Sequence, residues 1–280
     1  MRRRLEFRPD RDTTVGAYLR YMRFSARMLA AVKKLPDGIT ADGIPCRCTD
    51  KVRKGQCIAV LLPDETNPAH TGGIYVPVLY EDEDYIVYDK PPYMPVHRSA
   101  GHHDDTLENI SAADHGFHVI NRLDRDTTGV CLVAKHRYAV TQAEKIYTAV
   151  CCGEIHEPVH IDMPIARAEG SVIKRTVSPG GACAVTDVVP LVSEGGYTLA
   201  DMMLRTGRTH QIRVHLSAAG YPLAGDTMYG GDSIIPRQAL HCRSITFVHQ
   251  ITGETVTVTS ALPEDMKSII KIHNLETICL

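Results

Sequence analysis

The chain places two carboxylates and two guanidinium groups within five positions, directly before an apolar run that is typical of a buried strand. These residues are Arg122, Asp124, Arg125 and Asp126. Two carboxylates can hydrolyse a sugar bond, but aspartates two positions apart in a loop seldom reach the separation of about 5–9 Å that such enzymes use. A structural interpretation is equally open, with Asp126 shaping a turn and Arg122 forming a surface pair with Asp124.

A second polar segment spans residues 204–216. If Thr209 caps a helix, Arg213 lies in its early turns, where its guanidinium could reach a carboxylate in a cleft. His210 and His215 are weak candidates for metal ligands because no third ligand suggests itself. The nine cysteines include no Cys-x-x-Cys pair. We therefore expect no metal site.

The elements that must position these residues are mainly strands. Short runs rich in β-branched and aromatic residues predict strands at 85–90, 129–134, 146–152, 197–204 and 255–259. Tyr147 stands at the start of one of them, where most tyrosines are core residues. After residue 73, helices are expected only near 135–143 and 209–219. Because strands and helices seldom alternate, the pattern favours an α+β fold with a mixed sheet.

The first 62 residues differ in charge from the rest. They carry 14 Lys and Arg against 6 Asp and Glu, whereas residues 63–280 carry 17 against 27. Thr13 or Thr14 can cap one short helix and Ser25 a second. Asp42-Gly43 suits a hairpin turn, and residues 56–62 suit a closing strand. Residues 63–73 combine proline, glycine and polar residues and are predicted to be a linker.

This basic part, 1–62, resembles the small RNA-binding module of a small-subunit ribosomal protein and of tyrosyl-tRNA synthetases. The resemblance rests on two helices, a hairpin and a strand, and on Phe24-Ser25-Ala26-Arg27. Arg20, Arg23 and Arg27 lie on or beside the helices, where they could neutralise RNA phosphates. The alternative is a solvated basic face without a ligand.

The body resembles the RluA-type pseudouridine synthases over roughly residues 75–268. Three motifs carry the resemblance: Asn-Arg-Leu-Asp-Arg-Asp-Thr-Thr-Gly at 121–129, Lys-Ile-Tyr-Thr-Ala at 145–149, and Thr-Gly-Arg-Thr-His-Gln-Ile-Arg-Val-His-Leu at 206–216. Gly220 to Gly230 resembles the Gly-Asp-x-x-Tyr-Gly stretch of that family. Two positions depart from the pattern, because the family usually has His where this chain has Asn121 and Gly where it has Tyr93.

The resemblance implies an enzyme that isomerises specific uridines in structured rRNA or tRNA, without a cofactor. Asp124 would be the catalytic carboxylate, Arg213 its compensating cation, and Tyr147 the ring that holds the uracil. Further contacts to RNA are expected from one group of side chains. They are Arg122, Arg125, Arg208, His210 and Gln211.

The composition fits a globular protein of about two domains: 280 residues, 44% hydrophobic and 23% charged. No apolar run approaches the ~18–20 residues of a membrane span, and no secretory signal is evident. We therefore expect a cytoplasmic protein. The resemblances imply a monomer with RNA as its partner, a module at 1–62, a linker at 63–73 and a catalytic domain at 74–280. A non-catalytic RNA-binding protein or RNA chaperone on the same scaffold is the alternative.

Overall fold

A ten-stranded sheet forms the centre of the body, and a separate four-stranded sheet lies in the amino-terminal part of the computed structural model. The structure describes residues 2–65, 74–99, 101–112 and 115–276. Most of the predicted linker, residues 66–73, lies outside the described residues. Within the parts that are described, none of the helices has the length and apolar character needed to span a bilayer.

The amino-terminal part contains two helices beside its small sheet, which has the order β1-β6-β3-β4. Its elements are β1 (Arg4–Phe7), β2 (Thr13–Thr14), α1 (Val15–Tyr21), α2 (Ala26–Val32), β3 (Ile39–Ala41), β4 (Ile44–Pro45), β5 (Lys51–Val52) and β6 (Ile58–Leu61). Both predicted caps are confirmed: Thr14 Oγ1 accepts from the N–H of Ala17, and Ser25 Oγ from that of Met28. β2 and β5 form a separate two-stranded pair.

The body contains twelve strands, three α-helices and two short 3₁₀ turns among the described residues. The strands are β7 (Val78–Glu81), β8 (Tyr85–Lys90), β9 (His118–Val119), β10 (Thr128–Ala134), β11 (Ala143–Cys152), β12 (Val159–Asp162), β13 (Ile165–Arg167), β14 (Arg175–Val177), β15 (Val185–Glu194), β16 (Tyr197–Leu204), β17 (Leu240–Val248) and β18 (Thr255–Thr259). The helices are α3 (Leu107–Ser111), α4 (Gln211–Ala218) and α5 (Glu264–Ile272), and the 3₁₀ turns are Arg137–Ala139 and Thr227–Tyr229.

The large sheet runs β12-β15-β16-β11-β17-β10-β8-β7, with β18 paired to β17 and β9 paired to β10. Among the described strands of this sheet, only β10 and β17 are parallel neighbours; the other pairs are antiparallel. The predicted α+β fold with a mixed, mostly antiparallel sheet is therefore confirmed. The main hydrophobic core packs against this sheet and includes Leu132, Met202 and Leu216.

Two predicted helices differ from the structure. The helix expected at 135–143 is wrong: residues 137–139 form a single 3₁₀ turn, Val140 is extended, and β11 begins at Ala143. Only Ala143 of this segment pairs with another strand. The N–H of Ala139 donates to His136 Nδ1, and Tyr138 packs into the amino-terminal hydrophobic cluster. The second helix exists, but Thr209 is not its cap, because it begins at Gln211 after His210, whose φ of 57° is left-handed.

The amino-terminal part packs on the body through one inserted ring. Tyr138 of the body joins the hydrophobic cluster of the small sheet, stacks on Phe24 at 4.3 Å between ring centroids, and donates to the carbonyl of Met22 at 2.8 Å. Burying an aromatic ring in this way contributes roughly 1.5–3 kcal/mol. Arg3 adds an ion pair to Asp84 across the same contact. The two parts therefore share a packed joint.

Candidate active site

Asp124 lies in the loop between β9 and β10, with its side chain 23% exposed. The loop closes through a hydrogen bond from the N–H of Thr127 to the carbonyl of Asp124 (3.1 Å). Asn121 sets where the loop begins. Its buried amide donates to Val130 O at 2.8 Å and accepts from the N–H of Leu132 at 2.7 Å, which continues the pairing of β9 with β10.

The residues after Asp124 are held by buried side chains from β8 and from the segment that leads into β17. Their contacts are Lys90 Nζ to Arg125 O (2.9 Å), Arg237 Nη1 to Asp126 O (3.2 Å), Gln238 Nε2 to Thr127 Oγ1 (3.1 Å) and His241 Nδ1 to Thr128 Oγ1 (2.9 Å). Burial lowers the pKa of Lys90 to about 8. This network fixes the backbone of the loop without contacting the carboxylate of Asp124.

Arg213 of α4 joins two carboxylates. Its Nη1 donates to Asp124 Oδ2 at 3.2 Å, while Nε and Nη2 form a fork onto Asp226 at 2.7 and 2.8 Å. Burial alone would lower the pKa of Arg213, but the hydrogen bonds that it donates to Asp226 and the charge of Asp124 outweigh burial and raise that pKa. The guanidinium is therefore a permanent cation with a fixed orientation, and it presents one N–H edge to Asp124.

Tyr229 and His210 complete the surroundings of the two charges. The Arg213 guanidinium lies 4.9 Å from the centre of the Tyr229 ring, and the Tyr229 hydroxyl is 2.8 Å from His210 Nδ1. His210 Nε2 lies 3.9 Å from Asp124 Oδ2. Burial lowers the pKa of His210 although Asp124 opposes the shift. At neutral pH the imidazole is therefore mainly uncharged, and Arg213 is the cation that faces Asp124.

Asp124 opens onto a cleft of about 470 Å³. Tyr147 lies in the middle of β11 and not at the start of a strand, because β11 already begins at Ala143. It is buried in the wall of the cleft, and burial raises the pKa of its hydroxyl well above the ordinary value, so this group stays neutral. Apolar and polar side chains share the rest of the lining, among them Val96, Val119, Leu123, Lys145 and Leu204. The cleft thus offers one carboxylate, one aromatic wall and a partly apolar surface to a ligand.

The other predicted contacts of the body fall into two groups. Arg122 and Arg208 are exposed and line the cleft. Arg125 also lines it, but its guanidinium is bonded to Asp126 at 2.7 and 3.2 Å. The amide of Gln211 is buried and bonded to residues of this chain, and its Oε1 accepts from the backbone N–H of Arg208 at 2.9 Å. Gln211 therefore holds the position of Arg208.

Arg20, Arg23 and Arg27 are exposed on the two amino-terminal helices and the turn between them. They do not line the cleft of Asp124. Arg27 instead borders a smaller groove of about 200 Å³ at the joint, together with His136 and Arg137. The structure therefore places the expected RNA contacts on two separate surfaces.

Sequence reasoning did not assign the two residues that hold Arg213. Asp226 and Tyr229 both belong to the stretch Gly220 to Gly230, whose sequence indicates only a family resemblance. The sequence signal that could have identified them is a carboxylate and an aromatic residue placed between two glycines, Gly225 and Gly230. In the structure both glycines have a left-handed φ.

One group of described side chains has the spacing of a metal site: Asp82, Asp84 and His249 offer ligand atoms within 4.8 Å of one another. Asp84 is already bonded to Arg3 and to His136, however. A guanidinium at this distance repels a metal cation, so the residues present do not fit one. The cluster belongs to the joint between the two parts.

Comparison with known proteins agrees with this geometry. Residues 84–218 match the family model described as RNA pseudouridylate synthase. An uncharacterized RNA pseudouridine synthase of Bacillus subtilis, YjbO, is 36% identical over 93% of this chain and 99% of its own length. Ribosomal large subunit pseudouridine synthase D of Pseudomonas aeruginosa is 35% identical over 85% of each chain.

The fold is also found among solved structures. Human RNA pseudouridylate synthase domain containing 1 matches with a TM-score of 0.55 at 23% identity, over 71% of this chain and 94% of that one. At that identity the likeness concerns the fold. The sequence relatives carry the family assignment: the chain belongs to the RNA pseudouridine synthases of the RluA type, isomerases that convert uridine in RNA to pseudouridine.

Proposed function

We propose that the protein isomerises specific uridines of structured ribosomal RNA, with Asp124 as catalytic carboxylate, Arg213 as its counter-ion and Tyr147 against the uracil. The observation that carries this proposal is the carboxylate of Asp124 facing the cleft while Arg213 is locked to Asp226. Transfer RNA is the second substrate class to test. We further propose that it acts in the cytoplasm as a monomer and without a cofactor.

A partly buried carboxylate must remain ionised to act on the sugar or on the base. A nearby guanidinium stabilises the ionised form of a carboxyl group. Arg213 supplies this charge, and Asp226 takes up the other edge of the fork. Asp124 therefore keeps oxygen lone pairs that can reach a substrate atom. The proposal holds for attack on the sugar, attack on the base or removal of a sugar proton.

The aromatic wall suits a base that must be held while it turns. Uracil is released from its sugar and rejoined through carbon 5, and a ring face can support it throughout. Tyr147 is buried, and its hydroxyl stays protonated, so it adds no charge beside Asp124. Restricted access of water matters as well, because water reaching the cleaved sugar would give hydrolysis.

A uridine must leave its stack to reach Asp124, and this costs least in loops and weak pairs. The exposed guanidinium groups of Arg122 and Arg208 are suited to the phosphates on either side of such a nucleotide. Relatives are named for the large ribosomal subunit. We therefore place large-subunit rRNA first among the substrates to be tested.

The amino-terminal part, residues 1–62, is proposed to be an RNA-binding module joined through 63–73 to a catalytic domain at 74–280. Its exposed arginines Arg20, Arg23 and Arg27 form no ion pair within the described residues. Such unpaired cations favour a polyanion. These arginines would strengthen the binding of RNA at a surface outside the cleft that holds the reacting uridine.

The decisive experiment maps pseudouridines in total RNA from cells with and without the gene, and with a copy carrying Asp124→Asn. We expect at least one site to be missing in the deletion strain, restored by the wild-type gene and not by the variant. Circular dichroism and thermal unfolding of purified Asp124→Asn verify that it folds. A full set of pseudouridines in the deletion strain would contradict the proposed activity.

The role of the module is tested by substitution, because Tyr138 of the body is packed into its core. We expect Arg20→Gln with Arg27→Gln to reduce the slope of log affinity against log salt by about 0.7–0.9 for each phosphate that is no longer neutralised. The same two changes at Arg4 and Arg8, on the first strand and just after it, serve as the control. An unchanged slope in the Arg20 and Arg27 variant would argue against this surface.

A further inference from the structure

Tyr93 has a left-handed backbone conformation, which is unfavourable for a residue with a bulky side chain. It follows β8 in a turn at residues 92–93, with a φ of 64°. Residues with a Cβ are uncommon in this left-handed region, and a bulky one is an outlier, whereas glycine enters it at no steric cost. A strained residue of this kind is a reason to look for a function.

Contacts within the protein do not account for the tyrosine. Its side chain is 52% exposed. In the described parts of the chain its ring makes no aromatic contact and its hydroxyl forms no hydrogen bond. The ring therefore adds little to the core, and its conformational strain is not offset by packing.

The turn that carries Tyr93 lies next to the cleft, two residues before Pro95 in its lining. The buried ammonium of Lys90 donates to the carbonyls of Pro91 (2.7 Å) and Met94 (2.9 Å), and also to that of Arg125 (2.9 Å). One cation thus ties the turn to the loop of Asp124. The chain then continues directly into Pro95, which lines the cleft.

The loop that Lys90 ties to this turn carries an exposed cation. Arg125 lines the cleft, and its guanidinium is held by Asp126 at 2.7 and 3.2 Å. An exposed aromatic residue and a guanidinium on two joined loops are a combination suited to an unpaired base and its phosphate.

We propose that Tyr93 stacks on an unpaired base next to the target uridine and so contributes to the choice of RNA. This proposal rests on the proposed function and concerns a turn next to the same cleft. Stacking on an aromatic ring tolerates every base, since each has a π-face, but it requires an unpaired one. Tyr93 would therefore select for loops.

The test compares Tyr93→Gly and Tyr93→Phe with the wild-type protein, using a synthetic RNA stem–loop whose unpaired loop contains uridine. We expect Tyr93→Gly to weaken binding on the order of tenfold at every salt concentration, with an unchanged salt slope, because stacking neutralises no phosphate. Tyr93→Phe keeps the ring and should bind within twofold of wild type. The thermal midpoint of Tyr93→Gly should be unchanged or higher, since glycine relieves the left-handed strain.

Asn274→Gly is the matched control, because Asn274 is also exposed and left-handed, with a φ of 54°. It should leave RNA binding unchanged. Wild-type affinity in Tyr93→Gly would overturn the proposal, and so would equal losses in Tyr93→Gly and Tyr93→Phe. Absence of isomerisation by the wild-type protein would instead refute the proposed function, since the binding measurements do not depend on turnover.

Discussion

Asp84 and Asp124 each lie beside an arginine and a histidine, but their surroundings differ. At the joint between the two parts, Asp84 is 4% exposed and receives two hydrogen bonds from Arg3 and one from His136. Burial would raise its pKa, yet these hydrogen bonds outweigh burial and lower the pKa to about 2. Both oxygens of this carboxylate accept hydrogen bonds that hold the two parts of the protein together.

Asp124 is bonded less completely. It accepts one hydrogen bond from Arg213, His210 stands at 3.9 Å, and nearly a quarter of its side chain faces the cleft. The two parallel hydrogen bonds of the Arg213 guanidinium go to Asp226 instead. The comparison shows that similar residue types can build either a structural joint or a carboxylate with free acceptor positions, as the role proposed for Asp124 requires.

The largest expected effect is that of Arg213→Lys. A lysine cannot bridge Asp124 and Asp226 with a fork, so we expect the rate of uridine conversion to fall by about 10³-fold. Single-turnover conversion of RNA measures this rate. Arg205→Lys is the control, because Arg205 is exposed and pairs only with Asp187 among the described residues. A fall of less than tenfold would mean that Asp124 does not depend on the fork.

Asp84→Asn should lower the stability of the protein and leave the rate of uridine conversion nearly unchanged. Arg3 and His136 lose their anionic partner, and we expect the free energy of unfolding at pH 7 to fall by about 2 kcal/mol. Urea unfolding measures the change. The rate of conversion at a temperature where both proteins are folded should stay within twofold. A large loss of rate would remove the contrast between the two carboxylates.

The same pair of proteins should differ less in acid. Because the pKa of Asp84 is lowered in the folded state, its contribution is complete above about pH 4–5 and is lost as the pH falls towards about 2. The difference in unfolding free energy between wild type and Asp84→Asn should therefore shrink over that range. A difference that stays constant from pH 7 to pH 2.5 would contradict the assignment.

The smallest expected effect concerns His210. Burial lowers its pKa from the ordinary value, so the imidazole gains a proton only in acid. A second cation near Asp124 would then make the carboxylate less reactive, and we expect the wild-type rate to fall by about threefold between pH 7.5 and pH 5.5. His210→Gln should lack this decrease. An identical pH profile in both proteins would show that His210 does not influence Asp124.

Local patterns predicted much of the fold. The strand from Tyr85 to Lys90, the caps at Thr14 and Ser25 and the Asp42-Gly43 turn all follow from neighbouring residues, and the structure contains each of them. The helix expected at 135–143 was wrong: the segment forms a single 3₁₀ turn, from which Tyr138 packs against the distant Phe24. The left-handed His210 has no comparable local signal.

The sequence by itself determined the residue types that could form the site: a charged segment around Asp124, an arginine in a polar segment and a tyrosine in a predicted strand. Their assembly was decided by tertiary structure, since Asp124 and Arg213 are 89 positions apart and meet only when the sheet and α4 pack together. The same holds for Asp226, whose buried charge is stable only beside Arg213. Secondary structure depends on near neighbours, whereas the number of hydrogen bonds that reach a carboxylate depends on the whole fold.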